Sequence, residues 1–185
     1  PYSAEKSVPK KMQEAALEGR RNIREQGKDR ALVISATGTG KTFLSAFDVK
    51  QYNPERMLFI VHREQILKKS LIDFQKVLGF NPSEGHIYHS GDDLTGKKYI
   101  FATIQTLSRE DNLKAFSKDF FDYILIDEVH KAGADSYKKV MSHFTPNVYL
   151  GMTATPERTD GQNIYEIFDY NIAYEIRLQD ALEND

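Results

Sequence analysis

Residues 31–42 read Ala31-Leu32-Val33-Ile34-Ser35-Ala36-Thr37-Gly38-Thr39-Gly40-Lys41-Thr42, a short apolar run that passes through a glycine-rich turn into a lysine and a threonine. The run reads as a buried strand and residues 41–51 carry apolar side chains at helical spacing, so the turn is a strand-to-helix junction. A phosphate-binding loop needs that context. Gly38 and Gly40, which follow Thr37 and Thr39, let successive backbone N–H groups turn inward, and the N-terminus of the next helix adds positive potential. Lys41 would reach the β and γ phosphates, and the Thr42 hydroxyl would ligate Mg²⁺. The full pattern G-x-x-x-x-G-K-[ST] asks for glycine where this chain has Ser35. Alone, the loop also fits a glycine-rich turn with a chance lysine, so a second motif must decide.

Outward from this junction, apolar runs alternate with helical patterns. Strands are expected near residues 31–35, 57–61, 86–89, 99–103, 123–126 and 148–152, with helices over 41–51, 63–78, 104–116 and 136–144. Such alternation predicts βαβ units and an α/β fold with a mainly parallel sheet flanked by helices on both faces. Residues 8–25 read as a further helix, and residues 171–176 as a late strand followed by an acidic helix. The stretch 81–96 is turn-rich.

The second motif is Asp127-Glu128-Val129-His130. The apolar run before it makes a central strand, which puts Asp127 at the carboxyl end, where open α/β sheets bind their ligands. A carboxylate there can hold Mg²⁺ opposite Thr42, and Glu128 is placed to orient or deprotonate an attacking water. His130 has two readings, a sensor of nucleotide state beside the γ-phosphate or a structural histidine after a strand. For Asp127 and Glu128 the alternative is a helix cap followed by a surface acid.

Composition narrows the class. The 185 residues suit one cored domain, and 40% apolar with 28% charged residues is globular rather than disordered. Without cysteine there is neither a disulfide framework nor a thiolate metal site, which fits a reducing, cytoplasmic setting. No apolar run approaches the length of a membrane span, and the chain's start lacks the blocks of a signal peptide. A net charge of −2 excludes a uniformly basic nucleic-acid binder, so any phosphate-binding surface must be local.

Together these segments resemble helicase superfamily 2. Residues 36–42 are similar to its motif I, whose first position need not be glycine, and Asp127 to His130 resemble motif II in its D-E-x-H form. Met152-Thr153-Ala154-Thr155-Pro156 resembles motif III, which implies that Thr153 and Thr155 couple ATP hydrolysis to movement. Val61-His62-Arg63 resembles motif Ia, and Thr103-Ile104-Gln105-Thr106-Leu107 a later strand-end motif. The resemblance places His62, Arg63, Thr103 and Gln105 on the nucleic-acid side, and likens Gln13 to the glutamine that reads adenine. Several have a plainer reading: Arg63 a helix-start charge, His62 a buried structural histidine, Gln105 a helix-surface residue, Thr153 and Thr155 strand terminators. The combination V-H-R, D-E-V-H and T-A-T-P-E-R-T-D-G is most similar to bacterial DNA-acting members, including restriction-enzyme motor subunits. Where RNA-acting relatives have D-E-A-D and S-A-T at motifs II and III, this chain has D-E-V-H and T-A-T.

The resemblance implies a P-loop NTPase domain of three-layer RecA-like architecture that uses ATP and Mg²⁺, acts on DNA and has no membrane association. Residues 1–30 form a helical segment with Gln13, 31–163 the ATP-binding core, and 164–185 an extension leading toward a second RecA-like lobe. No second lobe fits after Thr155, so the sequence reads as an excised or partial first lobe, and Pro1 in place of Met agrees. The absent lobe supplies arginine fingers, worth roughly 10³–10⁵ in turnover where measured, so the isolated lobe should bind ATP–Mg²⁺ weakly and turn over slowly or not at all. The competing function is a module that docks nucleotide and DNA without productive catalysis. A P-loop enzyme that ignores nucleic acid would leave the strand-end threonines unexplained.

Overall fold

The computed structural model describes residues 30–35, 41–127, 134–153 and 172–176, together with Glu18 and Gly19. Seven strands, β1 (Arg30–Ser35), β2 (Met57–Val61), β3 (Gly85–Ile87), β4 (Tyr99–Thr103), β5 (Tyr123–Asp127), β6 (Val148–Thr153) and β7 (Ile172–Ile176), form one sheet. Its order is β3-β4-β2-β5-β6-β1-β7, and each of its neighbouring pairs is parallel. Parallel neighbours need crossovers. The described helices among them are α1 (Lys41–Tyr52), α2 (Glu64–Leu78), α3 (Ile104–Leu107), α4 (Glu110–Lys114) and α5 (Ala134–His143).

Strand alternation divides the core into two. Met57, Phe59, Val61, Tyr99, Phe101, Tyr123, Leu125, Leu150 and Met152 pack with Ala46 and Val49 of α1 and with Leu67 and Phe74 of α2. The intervening positions, Leu58, Ile60, Ile100, Ala102, Ile124, Ile126 and Tyr149, pack with Ile104 and Leu107 of α3, Leu113 of α4, and Tyr137, Val140 and Met141 of α5. A sheet covered on both faces wants apolar side chains at every position, so β2 and β5 are buried throughout. The result is the expected three-layer α/β architecture. On the α2 side Phe59, Phe74 and Phe101 meet with ring centroids 5.1–5.8 Å apart.

The expected strands at 57–61 and 99–103 appear with those bounds, and the others lie within a residue or two. The helix expected over 104–116 is broken in two. The Asn112 amide donates to the Thr106 carbonyl at 2.7 Å, taking the acceptor that an unbroken helix would offer to the Glu110 N–H, while Arg109 adopts an extended backbone as the cap of α4. The strand expected at 86–89 ends at Ile87, because the Asp92 carboxylate accepts the His89 N–H at 2.9 Å and turns the chain. Helix α2 stops at Gly79, which takes φ +71 and donates its N–H to the Gln75 carbonyl. The helix expected over 8–25 lies outside the described residues except for Glu18 and Gly19, which are helical. Among the described residues no helix is long and apolar enough to cross a membrane.

Candidate nucleotide and nucleic-acid site

Strand register aligns the motif-bearing ends. Along the carboxyl edge of the sheet Ile34 of β1 pairs with Thr153 of β6, and Met152 of β6 pairs with Asp127 of β5. Strands lie ~4.8 Å apart, so the end of β1, where the glycine-rich loop departs, and Asp127 are separated by about 10 Å with Thr153 between them. On the other side of β5, Val61 of β2 pairs with Thr103 of β4. One edge thus carries two neighbouring groups: β1, β6 and β5 on one side, β2 and β4 on the other.

Alternation also decides on which face Asp127 lies. It follows Tyr123 and Leu125, which pack on the α1 and α2 side. Helix α1 begins at Lys41, and its half-buried second residue, Thr42, has its carbonyl held by the Ser45 hydroxyl at 2.8 Å. Asp127 is 6% exposed. A buried carboxylate at a strand end and a threonine hydroxyl at the start of the facing helix are the hard oxygen donors that Mg²⁺ takes, so these residues fit that ion. The field of Asp127 also reaches Tyr137 of α5: burial raises the Tyr137 phenol well above its ordinary value, and the Asp127 charge adds to the rise.

Two turns into α1, Asp48 is only 2% exposed and its Oδ2 accepts the Tyr123 hydroxyl at 2.5 Å. This contact joins the helix that follows the loop to the strand that ends in Asp127. It was missed in the sequence, although an acid among the apolar positions Leu44, Ala46 and Val49 is the signal that would have found it.

At the second group, the Gln105 Nε2 donates to the His62 carbonyl at 3.0 Å and bridges the ends of β4 and β2. Gln105 is exposed, as its helix-surface reading requires, yet it is committed to this bridge. The Thr103 hydroxyl caps α3, accepting from the Thr106 N–H at 3.3 Å and donating to the Thr106 hydroxyl at 3.0 Å, so its first role is structural. Arg63 caps α2 with an extended backbone and no side-chain cap bond, leaving its exposed side chain at the strand end, and His62 is half-buried. Thr153 is fully buried. Gln13, Thr37, Gly38, Thr39, Gly40, Glu128, His130 and Thr155 lie outside the described residues, as does the side chain of Lys41.

A cavity of about 760 Å³ is lined by Arg56, Lys98 and Phe120, which precede β2, β4 and β5, and by Tyr88 and the turn from Gly91 to Lys97 that joins β3 to β4. The Arg56 guanidinium packs 4.2 Å over the Phe120 ring and donates to its carbonyl. Asp127, Thr153, Val61 and Thr103 do not line it.

Among curated proteins, the chain is 31% identical over 172 residues to a type I restriction enzyme EcoAI endonuclease subunit of Escherichia coli, covering 85% of this chain and 20% of that protein. It is 29% identical over 147 residues to the DNA 3'-5' translocase XPB2 of Sulfurisphaera tokodaii, covering 78% of this chain and 31% of the relative. Among solved structures, a nuclease-deletion mutant of the type ISP restriction-modification enzyme LlaGI, in complex with a DNA substrate mimic, superposes with a TM-score of 0.69 at 19% identity, over 94% of this chain and 20% of that one. The last match speaks for the fold, which is that of RecA-like helicase domains. The chain therefore spans less than a third of the length of either curated relative. The model of one family covers residues 6–158, from before the glycine-rich loop to beyond Thr153, and the chain belongs to that family, the Type III restriction enzyme, res subunit.

Proposed function

We propose that this chain is the nucleotide-binding first lobe of a superfamily 2 motor, which couples ATP hydrolysis to movement along DNA when a second RecA-like lobe closes against it. The observation that supports it is the carboxyl edge of the sheet, where the adjoining ends of β1, β6 and β5 carry Ser35, Thr153 and Asp127 beside the ends of β2 and β4. In this reading the N–H groups of residues 37–40 and the Lys41 ammonium bind the phosphates, Thr42 and Asp127 hold Mg²⁺, and Gln13 reads the adenine. When bound, Mg²⁺ supplies charge stabilisation at the phosphates. Glu128 takes a proton from the attacking water, and His130 senses the γ-phosphate. Thr153, at the end of the strand between β1 and β5, acts with Thr155 to pass the state of the nucleotide toward the DNA side. Arg63, with His62, Thr103 and Gln105, forms the phosphate-contacting part of that side. Residues 31–163 are the core, 1–30 carry the adenine contact, and 164–185 lead toward the second lobe.

The test is the ATPase rate of the full-length protein with single-stranded DNA, duplex DNA, RNA or no nucleic acid, alongside the Glu128→Gln variant. DNA should stimulate hydrolysis more than RNA does, and Glu128→Gln should abolish turnover while sparing ATP binding. Unchanged turnover in that variant, or a rate indifferent to nucleic acid, would overturn the reading. The isolated chain should hydrolyse ATP far more slowly than the full-length protein, since the second lobe's arginine is missing.

A further inference from the structure

The largest fully buried side chains include three tyrosines, Tyr123, Tyr137 and Tyr149. A buried phenol ordinarily finds a hydrogen-bond partner, because water no longer supplies one. Two of the three follow that rule. The Tyr123 hydroxyl donates to the Asp48 carboxylate, and the Tyr149 hydroxyl lies 3.1 Å from the Phe144 carbonyl and 3.3 Å from that of Met141. Among the described residues the Tyr137 hydroxyl has no partner. Phenylalanine would fill the same space without burying a polar atom, so packing does not account for that hydroxyl.

The position of Tyr137 suggests what the hydroxyl serves. It is the fourth residue of α5, the helix that follows β5 and returns the chain to the start of β6. Tyr149 fastens β6 to Met141 and Phe144 at the far end of this helix, and Tyr137 lies about one turn from Met141 toward the helix start. A helical side chain leans toward the helix N-terminus, here toward the carboxyl edge of the sheet. On β6, alternation puts Gly151 and Thr153 on the same face as Tyr149, which packs with Tyr137 and Ile126 in one cluster. Gly151 presents no side chain there and pairs with Ile126, the residue before Asp127. The phenol thus comes to the end of β5 from the α5 side, while Thr42 faces it from the α1 side. Burial and the Asp127 charge hold the phenol well above its ordinary pKa, so it keeps its proton and is a donor.

Carboxylates that ligate a metal are themselves held by hydrogen bonds from a surrounding shell. We propose that Tyr137 is a positioning residue of the metal site: with nucleotide and Mg²⁺ bound, its hydroxyl donates to the Asp127 carboxylate and fixes the orientation in which Asp127 meets the metal. This deepens the reading of Asp127 as a Mg²⁺ ligand and rests on it. The same bond makes α5, and through Tyr149 the strand that ends in Thr153, follow the state of the nucleotide site.

The experiment follows the binding of a fluorescent ATP analogue to the full-length protein as Mg²⁺ is titrated, repeats it without Mg²⁺, and records the urea midpoint. Tyr137→Phe should raise the Mg²⁺ concentration for half-maximal binding about tenfold, the lower end of the roughly 10–100-fold that such surrounding partners carry. Its binding without Mg²⁺ should match wild type, and its urea midpoint should equal or exceed that of wild type, since no bond of the resting fold is lost. An unchanged Mg²⁺ requirement overturns the proposal, and so does a lowered midpoint, which would show the hydroxyl bonded within the core. Asp127→Asn reads the underlying assignment and should raise the Mg²⁺ requirement further than Tyr137→Phe does. If Asp127→Asn raises it and Tyr137→Phe does not, the role of Tyr137 is wrong and the metal site stands. If Asp127→Asn leaves it unchanged, Asp127 is no metal ligand and the proposal falls with that reading.

Discussion

The Gln105 Nε2 donates to the main-chain carbonyl of His62 at 3.0 Å, so the segment leaving β4 is fastened to the segment leaving β2 by one side chain. Arg63 follows directly on the fastened residue. Gln105→Ala should let that segment shift and weaken DNA binding about fivefold, the equivalent of one hydrogen bond of roughly 1 kcal/mol. ATP affinity without DNA should stay as it is. Anisotropy titrations with and without nucleotide check both; wild-type DNA affinity would show that the bridge positions nothing.

Tyr123 and Asp48 supply a second test. The phenol donates to a carboxylate that is almost wholly buried, and Tyr123→Phe keeps the ring against Tyr52, 5.5 Å away, while removing that donor. Depriving a buried carboxylate of a hydrogen bond costs about 1–3 kcal/mol, so the urea midpoint should drop accordingly. Because the bond ties α1 to β5, ATP–Mg²⁺ affinity should fall as well. A stability loss with unchanged nucleotide affinity would confine the pair to the core.

Phe74 lies on α2 against Phe59 of β2 and Phe101 of β4 and is fully buried. Phe74→Ala should cost about 3–5 kcal/mol, a large part of a domain's stability. Chemical denaturation measures it; a cost below about 1 kcal/mol would mean that α2 is not seated on the sheet as described.

Asp92 gives a pH dependence with a definite sign. The hydrogen bond from His86, then that from the His89 amide, hold its carboxyl below the ordinary 3.8. The folded state therefore binds that proton more weakly than the unfolded state, and the contribution of Asp92 is complete above 3.8 and lost as pH falls through the lower folded value. Asp92→Asn should lower the urea midpoint at neutral pH, with a difference from wild type that narrows only below about pH 4. A difference that vanishes between pH 7 and 5 would contradict this assignment.

Much of the fold was legible because periodicity reports burial. Met57 to Val61 and Tyr99 to Thr103 are continuous apolar runs, which only strands covered on both faces require, and both have their expected bounds. The break in the helix expected over 104–116 was not legible, since it depends on the Asn112 amide reaching the Thr106 carbonyl once the chain has folded. The end of β3 depends in the same way on where the Asp92 side chain turns back. Of the candidate site, the sequence named Asp127, Thr153 and Gln105 from motif order; that Gln105 bonds to His62 and Thr103 to its own helix is side-chain geometry that motif order does not contain.

The order of apolar runs and glycine-rich segments, by itself, determined that this chain makes a parallel α/β sheet, because burial and backbone freedom are properties of local residue types. Only the tertiary structure decided that Ile34 pairs with Thr153 and Met152 with Asp127, so that the ends of β1, β6 and β5 adjoin, that Asp48 is held by Tyr123, and that His89 meets Glu64. Those pairings join residues from separate strands and helices, and only the packing of the finished sheet fixes which of them lie within hydrogen-bonding distance.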